Sequence, residues 1–170
     1  LGGEVLWTRY LGLFLHAEAH TYALTLGVVL AGIVAGSLIA SRGIDRLGLR
    51  GRVLGALLVA VGLSMLALTM LPAAWWRQRS GEPWSVFAGM LVPSMLSGAA
   101  FPLVVRMRVT ALPDAARATG VLLAANTLGG LLGSIVAGFY LLPVLGLDLG
   151  LRVITGVSLA GGFVAWLVLD

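Results

Sequence analysis

The chain contains very little that carries charge, and it contains neither cysteine nor lysine. Its 170 residues include 11 arginines and 7 acidic residues. Without cysteine, these residues form no disulfide, thiolate metal site or iron–sulfur cluster. This number of charged residues is too small to cover the surface of a soluble domain of this length. What is abundant is apolar: 59% of the residues are hydrophobic, 24 more are glycine, and the mean hydropathy is +1.04. This composition predicts an integral membrane protein.

The basic isoelectric point does not indicate a nucleic-acid partner. The formal net charge is +4 and the isoelectric point is about 10.7. Most of the arginines flank hydrophobic runs, where the positive-inside rule places them. We therefore expect the lipid bilayer, and no nucleic acid, as the main surroundings of the chain.

The hydrophobic runs predict an all-α, six-transmembrane-helix bundle in one domain, residues 1–170. The first run is short for a crossing, which indicates that this helix is incomplete at its N-terminus. Pro93 and Pro102 are expected to kink the fourth span. The predicted spans are 1–15, 21–41, 53–71, 84–105, 120–142 and 149–169.

The fifth span contains one strongly polar side chain, Asn126, at the head of a row of small residues. The uncharged stretch Val121–Leu145 is long enough to cross a hydrocarbon core of ~30 Å. Small residues on one helical face let another helix approach closely in lipid. The sequence therefore predicts helix packing on this face and on a similar face of the second span. The packing residues are Gly129, Gly130, Gly133 and Ala137 in span 5, and Gly32 and Gly36 in span 2.

The arginines predict the orientation in the membrane. Counted together with the adjoining ends of the helices, the loops after spans 2 and 4 carry seven arginines, and the loops after spans 3 and 5 carry three. This asymmetry places both termini in the cytoplasm. The predicted location is a cell membrane, crossed several times, and specifically a bacterial inner membrane.

Polar residues in the first and fifth spans are the candidate intramembrane site. Ionisable groups within a span usually face the bundle interior or a water-filled cavity. Two interpretations are open: a structural polar clamp between helices, with Asn126 or Thr127 as partner of Glu4, or a substrate or proton site. The candidate residues are Glu4, Trp7, Thr8, Arg9, Asn126 and Thr127.

No residue pattern in the chain predicts metal binding or catalysis. His16, Glu18 and His20 have the order H-x-E-x-H in a short outer loop, which differs from the zinc-protease motif. No nucleophile triad, phosphate loop or dinucleotide fingerprint is present in the sequence. We therefore expect no metal, no cofactor and no catalytic residues within these 170 residues.

The turn after span 2 reads D-R-x-G-x-R. A glycine allows a tight turn, an aspartate caps helix amides, and arginines reach carboxylates or helix C-termini. The motif resembles the loop between helices 2 and 3 of major facilitator transporters, with Ser41 in place of the leading glycine and Leu49 in place of a basic residue. An ordinary positive-inside turn is the alternative. The motif residues are Arg42, Asp45, Arg46, Gly48 and Arg50.

Two longer segments resemble the membrane domain of spermidine synthase-like membrane proteins. The first runs EVLWTRYLGLFL and continues to AGIVAGSLIASR; the second runs FPLVVRMRV and continues through RATGVLLAANTLGGLLGSIVAGFYLLPVLGL. The resemblance implies a six-helix domain similar to half of a major facilitator transporter. In many relatives a cytoplasmic aminopropyltransferase-like domain is joined to it, and any such activity would lie in that domain.

Three functions follow from this resemblance and from the composition. The first is solute transport, with a second copy or a homologous half completing the cavity. The second is a non-catalytic structural or accessory subunit that packs against other membrane subunits. The third is anchoring of a cytoplasmic aminopropyltransferase-like enzyme domain.

Overall fold

The computed structural model describes residues 2–12, 19–43, 50–72, 74, 78, 83–108 and 112–169, and within these ranges it contains helices and turns but no strand. This confirms the predicted all-helical membrane class. The helices are α1 (Gly2–Gly12), α2 (Ala19–Gly43), α3 (Arg50–Thr69), α4 (Pro83–Arg108), α5 (Leu112–Ile135), a π-helical segment (Val136–Leu145) and α6 (Gly146–Val168).

Within the described residues, four helical stretches are long and apolar enough to cross a membrane: Tyr22–Gly43, Gly51–Thr69, Gly89–Arg108 and Ala115–Val168. Their outer surfaces carry large apolar side chains, such as Phe139 at 83% exposure and Leu167 at 65%. Exposed apolar surface on this scale requires a lipid environment. The chain is therefore a multi-pass membrane protein.

The fourth stretch, 54 residues long, reverses its direction at Gly146. A Cβ built on Gly150 lies 3.7 Å from the Cβ of Leu141, whereas nine residues of straight helix would separate the two by about 13 Å. Gly146 has a φ of 73°, a conformation that side chains disfavour, and its N–H donates to the carbonyl of Leu142. The short loop predicted between spans 5 and 6 is thus reduced to a tight reversal at Gly146, where one helix ends and the next begins.

Close backbone contacts hold several helix pairs together, and the α3–α6 and α2–α4 crossings are examples. In the α3–α6 crossing, a Cβ on Gly55 would lie 2.7 Å from the carbonyl oxygen of Gly162, and one on Gly162 would lie 2.8 Å from that of Gly55. In the α2–α4 crossing, a Cβ on Gly32 would lie 2.7 Å from that of Ser94, and one on Gly36 would overlap the backbone of Met95. Because lipid is as apolar as leucine, close packing of this kind is a main source of association in membranes.

The contacts define the relative directions of the helices. Gly2 lies beside Gly133 and Val5 beside Gly138, so α1 runs parallel to α5 and the π-helical segment. The pairs that run antiparallel are α1 with α6 (Gly3 with Ile154, Leu6 with Gly150), α3 with α6 (Gly55 with Trp166, Gly62 with Leu159) and α3 with α4 (Leu68 with Gly89, Leu54 with Leu103). Helices α1, α3 and α5 therefore point one way, and α4 and α6 the other.

These directions bring arginines together at one end of the bundle. Arg52 is in the first turn of α3, Arg106 and Arg108 are in the last turn of α4, and Arg117 is near the start of α5. At the opposite end, Arg152 donates to Asp148 at 3.1 Å within the first turns of α6. The basic side chains of the described residues are thus unequally divided between the two ends.

Candidate functional site

A groove of about 550 Å³ lies between α2, α4 and α5, with the first residue of α1 at its edge. Asn126, near the middle of the helical run 112–145, is exposed toward it. The residues that line the groove are Gly2, Ile33, Ser37, Ser97, Gly98, Phe101, Leu123, Asn126, Gly129 and Gly130.

The polar groups of this lining are neutral hydrogen-bonding groups. Asn126 offers an amide with two donor hydrogens and an acceptor oxygen, and Ser37 adds a hydroxyl. Ser97 donates its hydroxyl to the carbonyl of Pro93 at 2.8 Å, which leaves its oxygen able to accept. Placing an exposed amide in hydrocarbon costs several kcal/mol unless it meets a polar partner. This groove therefore suits water or a polar ligand better than lipid tails.

The proline of α4 changes the hydrogen bonding of that helix next to the groove. Pro102 has no N–H, so the carbonyl of Gly98, four residues earlier, lacks its usual helical donor. Gly98 lies in the groove lining together with Ser37, Ser97 and Asn126.

The register of α1 separates two residues that the sequence predicts as partners. Gly2 lies beside Gly133, which is seven residues beyond Asn126 on α5. With a rise of ~1.5 Å per residue, the backbone of Glu4 lies about 13 Å from that of Asn126 along the helix axis. A direct Glu4–Asn126 hydrogen bond would require a different register. The side chain of Glu4 lies outside those described.

The remaining polar candidates are spread over several surroundings. Trp7 is buried and packs edge-on against Tyr10, with ring centroids 5.2 Å apart. It faces a separate cavity of about 20 Å³, not the groove. Arg9 is exposed and Thr8 is half-buried. Thr127 donates its hydroxyl to the carbonyl of Leu123 at 2.9 Å on an exposed part of α5.

The predicted small-residue face of α5 has two different environments. Toward the π-helical segment, Ala137 is fully buried and Gly133 lies against Gly2. Toward the start of the helix, a Cβ on Gly129 would meet no described atom within 4 Å, and Gly130 lines the groove. One half of this face therefore packs against α1, and the other half forms a wall of the cavity.

Most of the predicted cytoplasmic motif lies outside the described residues. Arg42 is exposed in the last turn of α2, and Arg50 begins α3. The stretch between these two helices is outside the described residues and contains Asp45, Arg46 and Gly48. The stretch between α1 and α2, which contains His16 and Glu18, is outside them as well. Their proposed roles stay predictions.

The sequence does not single out the partners of Asn126 in the groove. Ser37 and Ser97 are two of several serines in apolar helices, and serines of this kind commonly bond to their own helix. One available signal is the four-residue spacing of Gly98 and Pro102, which marks a carbonyl without its helical donor. Comparison with known proteins adds no further guide, because no protein-family model, curated protein or solved structure matches the chain.

Proposed function

We propose that the chain is the membrane domain of a transporter-like protein, in which the groove beside Asn126 receives a solute. The observation that carries this proposal is a cavity of about 550 Å³ beside a helix long enough to cross a membrane, in which the amide of Asn126 and two serines interrupt an otherwise apolar lining. A structural subunit would fill such a space with its own side chains or with those of a partner helix. The neutral lining favours an uncharged solute with hydroxyl or amide groups.

The packing of the helices supports six crossings arranged as two related sets of three. If helices α1, α2 and α3 correspond to α4, α5 and α6, then the α2–α4 contact corresponds to α5–α1 and the α3–α4 contact to α6–α1. The α3–α6 contact corresponds to itself. All of these pairs pack against each other, as two related sets of three helices require. Inverted repeats of three helices occur within each half of major facilitator transporters. We therefore extend the proposal to a half-transporter of that type.

The arginine-rich end of the bundle supports a cytoplasmic position for both termini. The proposed link to spermidine synthase-like membrane proteins depends on the two sequence segments described above. In that context a second copy or another membrane subunit would complete the cavity, and a cytoplasmic aminopropyltransferase-like domain would be a further partner.

The alternative function is a structural or accessory subunit of a larger membrane complex. It is favoured by the open half of the α5 face, since Gly129 has space for a neighbouring helix. In that case another protein's helix would occupy the groove and pair with Asn126, and the groove would contain no water.

Thiol accessibility distinguishes the two functions, and the lack of native cysteine removes background labelling. Ser97→Cys and Leu123→Cys place thiols in the groove, and Val157→Cys, at a position 67% exposed on α6, is the lipid-facing control. A water-soluble methanethiosulfonate reagent requires thiolate, which does not form in hydrocarbon. We expect both groove cysteines in membranes to react at least tenfold faster than the control. Groove cysteines as unreactive as Val157→Cys would refute the solute-path proposal and support the accessory subunit.

A further inference from the structure

The helix that forms one wall of the groove changes its packing abruptly along its length. In the π-helical segment, Ala137 is fully buried and Leu141 is 8% exposed. The outward face of the segment is open, with Phe139 83% exposed. Before that segment, by contrast, none of residues 115–135 is buried on any face. One end of this long helix is thus held in the core, while the other end stands at the edge of the groove.

The change in packing coincides with a change in the backbone. Val136–Leu145 is a π-helix of ten residues, far longer than the single-turn π-bulges usual in proteins. Pro143 lies within it and removes one backbone donor. Proline and π-bulges are the commonest causes of sharp bends in helices. The backbone next to the anchored end of α5 is therefore the part best suited to bend.

The two other helices along the groove, α2 and α4, are held against each other, although α4 contains Pro93 and Pro102. The glycines of α2 and α4 place the two backbones in direct contact at Gly36 and Gly98. By contrast, a Cβ at Gly120 or Gly129 of α5 would meet no described atom within 4 Å. A relative movement across the groove would thus be a movement of α5 against a fixed α2–α4 pair.

We propose that residues 115–132 of α5 form a gate that swings about the π-helical segment and closes the groove onto α2 and α4. Closure brings the amide of Asn126 toward Ser37 and Ser97 and removes its contact with lipid or water. This inference rests on the proposed function for its biological meaning, since the gate would control access of a solute to the same groove. The movement itself requires no solute.

Distances between pairs of spin labels test the gate in the intact chain, reconstituted in lipid nanodiscs. The gate pair is Ala124→Cys on α5 with Leu38→Cys on α2, and both positions are exposed. The control pair is Leu63→Cys with Val157→Cys, across the glycine contact of α3 and α6. We expect two populations or one broad distribution for the gate pair, and one narrow distribution for the control pair. A gate pair as narrow as the control pair would overturn the proposal.

The position of the hinge is tested by Pro143→Ala, which restores the missing N–H in the π-helical segment. In the gate pair background, this variant should narrow the distance distribution and favour one population. A gate distribution that stays broad and unchanged would overturn the assignment of the hinge to this segment. Failure of the solute-path proposal is recognised separately, because it appears in thiol reactivity and not in these distances.

Discussion

One methyl group at the crossing of α3 and α6 should have a measurable effect on the stability of the bundle. A Cβ on Gly162 would lie 2.8 Å from the backbone N of Val59 and 2.8 Å from the carbonyl oxygen of Gly55. Because both are backbone atoms, no rotamer change relieves the overlap. The helices must separate by about 0.6 Å to reach ordinary contact, and such a gap removes roughly a quarter of the dispersion energy across it.

Gly161 provides the matched control, since it is the neighbouring glycine on the same helix and its Cβ would meet no described atom within 4 Å. Both Gly161→Ala and Gly162→Ala gain about 1 kcal/mol of helix propensity. Only Gly162→Ala suffers overpacking, which costs about 1–3 kcal/mol. We therefore expect Gly162→Ala to be less stable than Gly161→Ala by about 2 kcal/mol, or roughly 30-fold in the unfolding constant.

The assay is reversible unfolding in mixed micelles, followed in parallel by helical circular dichroism and tryptophan fluorescence. The quantity compared is the free energy of unfolding of the two variants under identical lipid and detergent conditions. If Gly162→Ala is as stable as Gly161→Ala, the two backbones are not in contact and the α3–α6 crossing described here is incorrect.

Three further predictions concern other parts of the bundle. Gly36→Ala should lower the unfolding free energy by about 1–3 kcal/mol in the same assay, whereas Gly27→Ala, with open space around it, should not lower it. Asp148→Asn should lower the free energy of unfolding by no more than about 0.5 kcal/mol, because its ion pair with Arg152 is largely exposed and screened by solvent. Met70→Cys, just after α3, and Val168→Cys, at the end of α6, are both exposed and should react with a membrane-impermeant maleimide from opposite sides of sealed vesicles, and labelling from one side would contradict the antiparallel packing of α3 and α6.

The helices were predictable because long apolar runs have few other structures available in lipid. The direct succession of α5, the π-helical segment and α6 without a loop was not predictable, although Pro143 and Gly146 mark the place of the reversal. Proline and glycine indicate that a helix ends or bends, but they do not distinguish a loop from a helix that reverses at one residue. That distinction depends on which neighbours the following helix meets, here Leu141 against Gly150.

The candidate site was predictable only in part, for a related reason. Asn126 stands out as the one amide in a long apolar run, and the structure places it in the groove lining. The depth of Glu4 relative to Asn126 depends on the register between α1 and α5. Glycine faces are smooth and fit several registers, so the sequence alone does not fix that depth.

The glycines of this chain show why a small-residue face does not by itself indicate helix packing. On α2, α3 and α6 such faces meet another backbone, and the result is a close crossing. On α5 the same kind of face meets α1 at Gly133, but at Gly129 it meets only open space, and there it borders a cavity. The difference lies in the neighbour and in the polar group beside the face. Because a buried amide is costly without a polar partner, the open half of the face beside Asn126 is where the proposed function places its solute and the alternative function its partner helix.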